Sequence, residues 1–284
     1  MSPRHAFLEW PMRLMASTIL IGIVAASAPN VSFAQGCDLP PGETVAVAAA
    51  IDGETLALDD GRAVRLLGIQ APAAPPDWEG PEPWPFAVLA KEALAKIAAG
   101  ATAELRFDAR TEDRHGHVLA QVYVEEKSGP VWLQAKLVEE GLVRVAALPD
   151  LGACLAPLIV AERKAREGRQ GLWRSLTYQV RDANNPKALS HLRHSYQLVE
   201  GRVHGIGEGK TLVYINFAED WRSDFTIAIP RKRLPVLEAA GFDLAALPGK
   251  RIRVRGWVEW WNGPMIKVSH PEEIEVLGAS PGAG

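Results

Sequence analysis

Two arginine settings in this sequence have the chemistry to hold an anion. Arg65 lies inside an apolar run, Ala63 to Ile69. A guanidinium there keeps its charge and needs an anionic partner, either a carboxylate or a phosphate. Arg251, Arg253 and Arg255 alternate along a second apolar run that continues to Trp257, with Arg231, Lys232 and Arg233 not far upstream. Alternate residues of a strand share a face, so these four side chains form a basic stripe ending in an aromatic. Such a stripe suits single-stranded nucleic acid. The plainer reading is a solvated face whose arginines pair with Glu259, Glu272 and Glu273.

Three further groups carry chemistry. Asp113, His115 and His117 place an H-x-H pair beside a carboxylate, a donor set that suits zinc or copper. Trp78 and Trp84 sit in a loop with prolines at 72, 75, 76, 81, 83 and 85. They either stack on a base or pin the loop to its own domain. The same loop holds Asp77, Glu79 and Glu82, each a candidate acid or simply solvated.

These residues need elements to position them. Asp52 to Ala73 reads D-G-E-T-L-A-L-D-D-G-R-A-V-R-L-L-G-I-Q-A-P-A, two apolar runs about an Asp-Gly turn, which predicts a β-hairpin carrying Arg65. A strand over 43–51 leads into it. The proline loop excludes helix or central strand. Apolar residues at 86, 89, 90, 93, 94 and 97 then predict a helix over 86–99. Strands over 102–107 and 118–124 follow, then helices over 131–142 and 151–167. A helix between the third and fourth strands of a closing sheet is the order of an OB-type barrel. Strands over 198–203, 211–217, 225–229, 251–258 and 265–268, with a short helix over 235–240, suggest a second small barrel of the same kind. The expected fold is therefore mainly β with α (α+β), an N-terminal OB barrel with three helices and a second OB-like barrel after it.

The stretch also carries a family resemblance. D-G-E-T followed by V-R-L-L-G-I-Q-A-P, then D-R-H-G-H-V-L-A at 113–120, W-L-Q-A-K-L-V-E-E-G-L-V-R-V at 132–145 and R-Q-G-L-W at 169–173, resembles the staphylococcal-nuclease (thermonuclease-like) family over roughly residues 42–173. The resemblance implies an OB barrel and Ca²⁺-dependent phosphodiester hydrolysis. It implies two aspartates near the metal, a glutamate that activates water and two arginines on the phosphate. Carried onto this chain, the first metal aspartate falls on Glu54 and the second on Gln70. The glutamate falls on Ala73, the first arginine on Arg65 and the second on His117. The two tyrosines that flank a nucleotide would fall near Ala147 and Pro149, and Arg114 keeps a basic residue of the turn. The implied turn needs no metal at His115 and His117, and His117 reads instead as a weaker phosphate contact. Ca²⁺ binds through six to eight oxygens, largely carboxylates. With only Glu54 still charged among the implied carboxylates, any Ca²⁺ held at Glu54 and Gln70 is held weakly.

The net charge of −3 gives no global attraction to nucleic acid, so any polyanion site is a local patch. Arg4 and Arg13, the apolar run 14–26 and the small-x-small Ser32-Phe33-Ala34 read as a signal peptide over 1–34, cleaved on export. The expected location is periplasmic or secreted, with no stable membrane insertion once the signal is removed. Cys37 and Cys154, the chain's two cysteines, are expected to pair in that compartment. The expected organisation is 35–173 for the nuclease-like domain, 174–196 for a linker and 197–278 for the second β domain. The leading expectation is a pseudoenzyme, inactive or weakly active, binding nucleic acid, nucleotide or another anion through Arg65, Arg114 and the 251–255 stripe. The alternatives are a Ca²⁺-dependent phosphodiesterase with an altered site and a module that binds another envelope protein.

Overall fold

The computed structural model describes residues 37–75 and 78–278. The proposed signal, 1–34, and Asp77 lie outside the described residues. The described residues belong to one compact unit.

The first half builds a closed barrel. Its strands are β1 (Thr44–Ala50), β2 (Thr55–Leu58), β3 (Ala63–Leu66), a two-residue β4 (Ile69–Gln70), β5 (Thr102–Arg106), β6 (Val118–Glu126), β7 (Gly129–Trp132) and β8 (Arg144–Val145), with helices α1 (Ala87–Ala98), α2 (Leu133–Glu139) and α3 (Leu155–Glu167). β1 pairs with β2 and β5, β2 with β3, and β5 with β6, all antiparallel. A parallel β3–β6 pairing closes the ring, with α1 inserted between β4 and β5. This is the five-stranded OB arrangement. The Asp59–Asp60–Gly61 turn joins β2 to β3 where the hairpin was expected, with Gly61 in the left-handed region (φ 87°).

The helices seal the barrel by burying small and branched apolar residues. α1 buries Ala90, Leu94 and Ala98, while Val88 and Leu89 stay exposed. α2 begins at Leu133, not at 131, because Val131 and Trp132 still pair with Val124 and Tyr123 across β6–β7. The N-terminal arm is tied to the start of α3 by a Cys37–Cys154 disulfide (Cα–Cα 5.0 Å).

The second half repeats the same cyclic order. A short β9 (Arg181–Asp182) and helix α4 (Pro186–Ser190) precede β10 (Tyr196–Arg202) and β11 (Gly205–Glu208). Then come β12 (Leu212–Asn216), β13 (Thr226–Pro230), α5 (Leu234–Ala239), β14 (Arg251–Trp261), β15 (Gly263–Lys267) and β16 (Ile274–Leu277). β10 and β11 behave as one kinked strand: Val203 N–H donates to Lys250 O at 2.9 Å on one side, His204 N–H to Asn216 O at 2.8 Å on the other. β10 pairs with β14, β14 with β15, β15 in parallel with β13, β13 with β12 and β12 with β11. The stretch 174–196, expected as a linker, buries Tyr178, Ala183 and Leu189.

The halves share a charged and hydrogen-bonded seam. Arg255 on β14 reaches Glu162 on α3 at 2.6 Å and Glu275 on β16 at 2.7 Å. Arg166 on α3 reaches Glu162 at 3.2 Å and Glu275 at 3.5 Å. The Tyr196 hydroxyl donates to Val145 O at 2.8 Å, and the His270 ring meets Leu148 O at 2.9 Å. Among the described residues no helix is long and apolar enough to cross a membrane.

Candidate functional site

The site is built where the hairpin meets the β4–β8 pair. Glu54 stands at the entrance to β2, just after a glycine the packing demands. A Cβ on Gly53 would lie 2.7 Å from the Ala90 Cβ and 2.9 Å from the Ala71 Cβ, so any side chain would push α1 away. Antiparallel register sets Arg65 opposite Thr55, beside Glu54. Arg65 Nη2 lies 3.2 Å from Glu54 Oε1. Gln70 Nε2 donates to the same oxygen at 3.3 Å, and the Ala71 N–H donates to Oε2 at 2.5 Å. The anionic partner that Arg65 required is therefore a carboxylate of its own chain.

Glu54 is 9% exposed. Burial pushes its carboxyl up to about 7, against the opposing pull of Arg65 and the Ala71 N–H. It sits between protonated and ionised near neutral pH, as a poised acid–base group does.

Beside this cluster is a cavity of about 260 Å³. Arg65, Gln70 and Arg114 line it from the first barrel, with Ala147 on one wall. Trp257 lines it from β14 of the second barrel. That indole is half exposed and packs edge-on against Tyr196 at 5.9 Å. An aromatic from one barrel thus faces two guanidinium groups from the other.

The structure gathers only part of the expected set. Ala73 is exposed and carries no acid–base group. His117 is not among the cavity-lining residues: its Nδ1 lies 2.9 Å from Asp113 Oδ2. Burial alone would raise the Asp113 carboxyl, but hydrogen bonds from the His117 ring and from the N–H groups of His117 and His115 hold it at about 2. Those bonds build a tight turn, so Asp113, His115 and His117 are turn residues, with Arg114 Nε donating to His115 Nε2 at 3.0 Å. Trp78 and Trp84 contact each other edge-on at 5.2 Å, away from the cavity. Trp84 packs on the cluster of Leu172, Trp173 and Tyr178, and the Tyr178 hydroxyl donates to Pro85 O at 2.8 Å. They pin the proline loop. Glu79 and Glu82 are exposed, and the carboxylate paired with Arg65 is Glu54.

The basic stripe is neutralised by its neighbours. Register places Glu200 of β10 and Glu275 of β16 on either side of Arg253. Glu200 takes Arg251 at 2.5 Å and Arg253 at 2.6 Å, while Arg255 is 2% exposed under α3. The stripe is a clamp, and its carboxylates are Glu162, Glu200 and Glu275, not Glu259, Glu272 or Glu273. Of the four stripe residues, Trp257 alone reaches the cavity.

One buried cation went unread in the sequence. Arg144, opposite Gln70 in the β4–β8 pair, is wedged between Tyr178 (5.1 Å) and Tyr196 (5.2 Å) and donates to Tyr196 O. Burial lowers its pKa. It lies across the β4–β8 pair from Gln70, which lines the cavity, and in the sequence it stands only within the L-V-R-V end of a longer motif.

A calcium ion does not fit this donor set. Ca²⁺ takes six to eight oxygens, largely from carboxylates. At Glu54 and Gln70 there is one carboxylate, both of whose oxygens already accept hydrogen bonds, and an amide whose nitrogen faces it. Among the described residues no group of three or more His, Cys, Asp or Glu side chains is arranged to hold a metal.

A closed five-stranded barrel with α1 after its third strand defines an OB-like α+β domain. Residues 63–175 match the family described as staphylococcal nuclease homologue, and that stretch of the chain is such a domain. No curated protein matches the chain.

Proposed function

We propose that this chain binds a nucleotide or short single-stranded nucleic acid at the cavity between its two barrels, and that it does so without efficient hydrolysis. One observation carries the reading: the single remaining carboxylate, Glu54, spends both oxygens on Arg65, Gln70 and Ala71 while Arg65, Arg114 and Trp257 line one cavity. Two guanidinium groups suit phosphate oxygens, and an indole face suits a base, a contact worth about 1–3 kcal/mol per base. Trp257 supplies from the second barrel the aromatic that the Ala147 wall lacks. The Cys37–Cys154 pairing supports an oxidising, extracytoplasmic location, in keeping with a signal over 1–34.

A second reading rests on Glu54 itself. A carboxyl at about 7 beside an arginine has the proton affinity of a general base, so a slow phosphodiesterase remains the competing assignment.

Cleavage of single- and double-stranded DNA, with Ca²⁺ and with EDTA, separates the two. The binding reading expects no calcium-dependent cleavage above the Arg65→Ala background. It also expects oligonucleotide affinity that falls with salt at a log–log slope of about −1.4 for two phosphate contacts. Calcium-dependent turnover abolished by Arg65→Ala would establish the enzyme instead.

A further inference from the structure

A second cleft, of about 410 Å³, opens on the outer face of the second barrel. Tyr214 and Asn216 project from β12, Trp221 comes from the loop before β13, and Trp261 and Asn262 form the β14–β15 turn. It shares no lining residue with the cavity at Arg65.

Three features set its chemistry. First, its indoles are exposed: Trp221 is 47% and Trp261 67% exposed. Second, its neutral polar groups are unspent. The side chains of Asn216, Asn262 and Tyr214 and both indole N–H groups make no hydrogen bond among the described residues. Third, no cation lines it. Glu208 is the one charged residue in its wall, and the nearby Arg231 is held by that carboxylate at 2.9 Å. Arg222 lies over the Trp221 ring at 4.3 Å.

The cleft is also preformed. The Asp224 carboxylate, 4% exposed, accepts the Phe217 N–H at 2.7 Å, the Ala218 N–H at 2.9 Å and the Thr226 hydroxyl at 3.0 Å, which fixes the loop carrying Trp221. A Cβ on Gly263 would fall 2.2 Å from Asp224 O. The aromatic turn is therefore packed backbone to backbone on that loop, with Asn262 in the left-handed region (φ 64°) between the two tryptophan-bearing segments.

From this we infer that the cleft binds a neutral oligosaccharide. Indole faces stack on the C–H faces of sugar rings, and amides and hydroxyls pair with sugar hydroxyls at both their donor and acceptor positions. A phosphate backbone would meet the Glu208 carboxylate in this wall, and the Arg222 guanidinium beside the cleft is stacked on the Trp221 ring, which disfavours nucleic acid. A purely apolar ligand would leave two amides dry. This face of an OB-type barrel accommodates extended ligands of either kind, so the lining decides between them.

The test uses the full chain and three neutral probes: tetramers of β-1,4-linked N-acetylglucosamine, β-1,4-linked glucose and α-1,4-linked glucose, followed by calorimetry and indole fluorescence. At least one tetramer is expected to bind with an affinity unchanged between about 50 and about 500 mM salt, as an uncharged ligand requires. Trp261→Ala and Asn216→Ala are each expected to weaken it about tenfold or more. Trp261 is largely solvent-exposed, so Trp261→Ala should leave the thermal midpoint in place, which separates lost binding from lost folding. The proposal is overturned by the absence of binding at about 10 mM of every tetramer. Binding that survives both substitutions also overturns it. So does salt-sensitive binding of a dT oligonucleotide that Trp261→Ala abolishes.

Discussion

Replacing Arg255 by Met tests how the two barrels are held. The guanidinium is 2% exposed and bonds Glu162, which is fully buried, at 2.6 Å and Glu275 at 2.7 Å. Burial alone would lower the arginine's pKa, but Glu162, Tyr196 and Glu275 outweigh it and hold the group charged. Removing one partner of a buried ion pair typically costs about 3–5 kcal/mol, because the other charge is left uncompensated. Here the lower end applies, since Glu162 keeps Arg166 at 3.2 Å and the Val145 N–H at 2.8 Å. A loss of about 3 kcal/mol corresponds to a fall in Tm of roughly 6–12 °C for a unit of this size. Arg251→Ala is the internal control: its side chain is 52% exposed, and an exposed pair is worth about 0–1 kcal/mol. The assay is urea unfolding followed by tryptophan fluorescence, with hydrogen exchange to locate the loosened segment at α3 and β14. If Arg255→Met costs no more than Arg251→Ala, the seam contributes nothing and the reasoning from burial fails.

Three other outcomes are expected. Glu54 has a folded-state pKa raised from 4.5 to about 7, so its contribution to stability is present in full below about 4.5 and is lost as pH rises through about 7, a swing on the order of 3 kcal/mol. Urea midpoints between pH 5 and 8 should therefore fall for the native chain and fall less for Glu54→Gln; equal slopes would refute the assignment. Reducing the Cys37–Cys154 bond, which spans a separation of 117 residues, should lower stability by roughly 4–5 kcal/mol in the chain-entropy model, read as a drop in Tm with dithiothreitol. Trp257→Ala should weaken oligonucleotide binding by about 1–3 kcal/mol without moving Tm, because the indole is half exposed; unchanged affinity would remove it from the site.

Local chemistry was legible in the sequence, and long-range pairing was not. The Asp-Gly turn and two apolar runs specify the β2–β3 hairpin, because turn geometry and strand period are both short-range. Arg65 announces its need for an anion for the same reason: a permanent cation among Val64, Leu66 and Leu67 must be matched. That the match is Glu54 follows from the Thr55–Arg65 register. The Arg251–Arg255 stripe shows the limit. Its alternation is real and its four residues do share a face, but whether that face meets solvent depends on Glu200 and Glu275 arriving from two other strands and on α3 lying across Arg255. His117 shows the same dependence on context. Its position in the family pattern suggests a phosphate contact, while the Asp113 carboxylate four residues back captures the ring.

The strand that carries the clamp also carries the site. β14 runs from the paired Arg251 and Arg253, through Arg255 locked under α3, to Trp257 at the cavity two residues on. Two residues along a strand span roughly 7 Å, so the locked guanidinium fixes the indole's position almost directly. The second barrel thereby completes the lining of the cavity in the first, because Trp257 is an aromatic that the barrel of Arg65 and Arg114 does not supply there. A change that loosens Glu162 or Arg255 should weaken binding at Arg65 even though neither residue lines the cavity, whereas the oligosaccharide cleft, built wholly within the second barrel, should be indifferent to it.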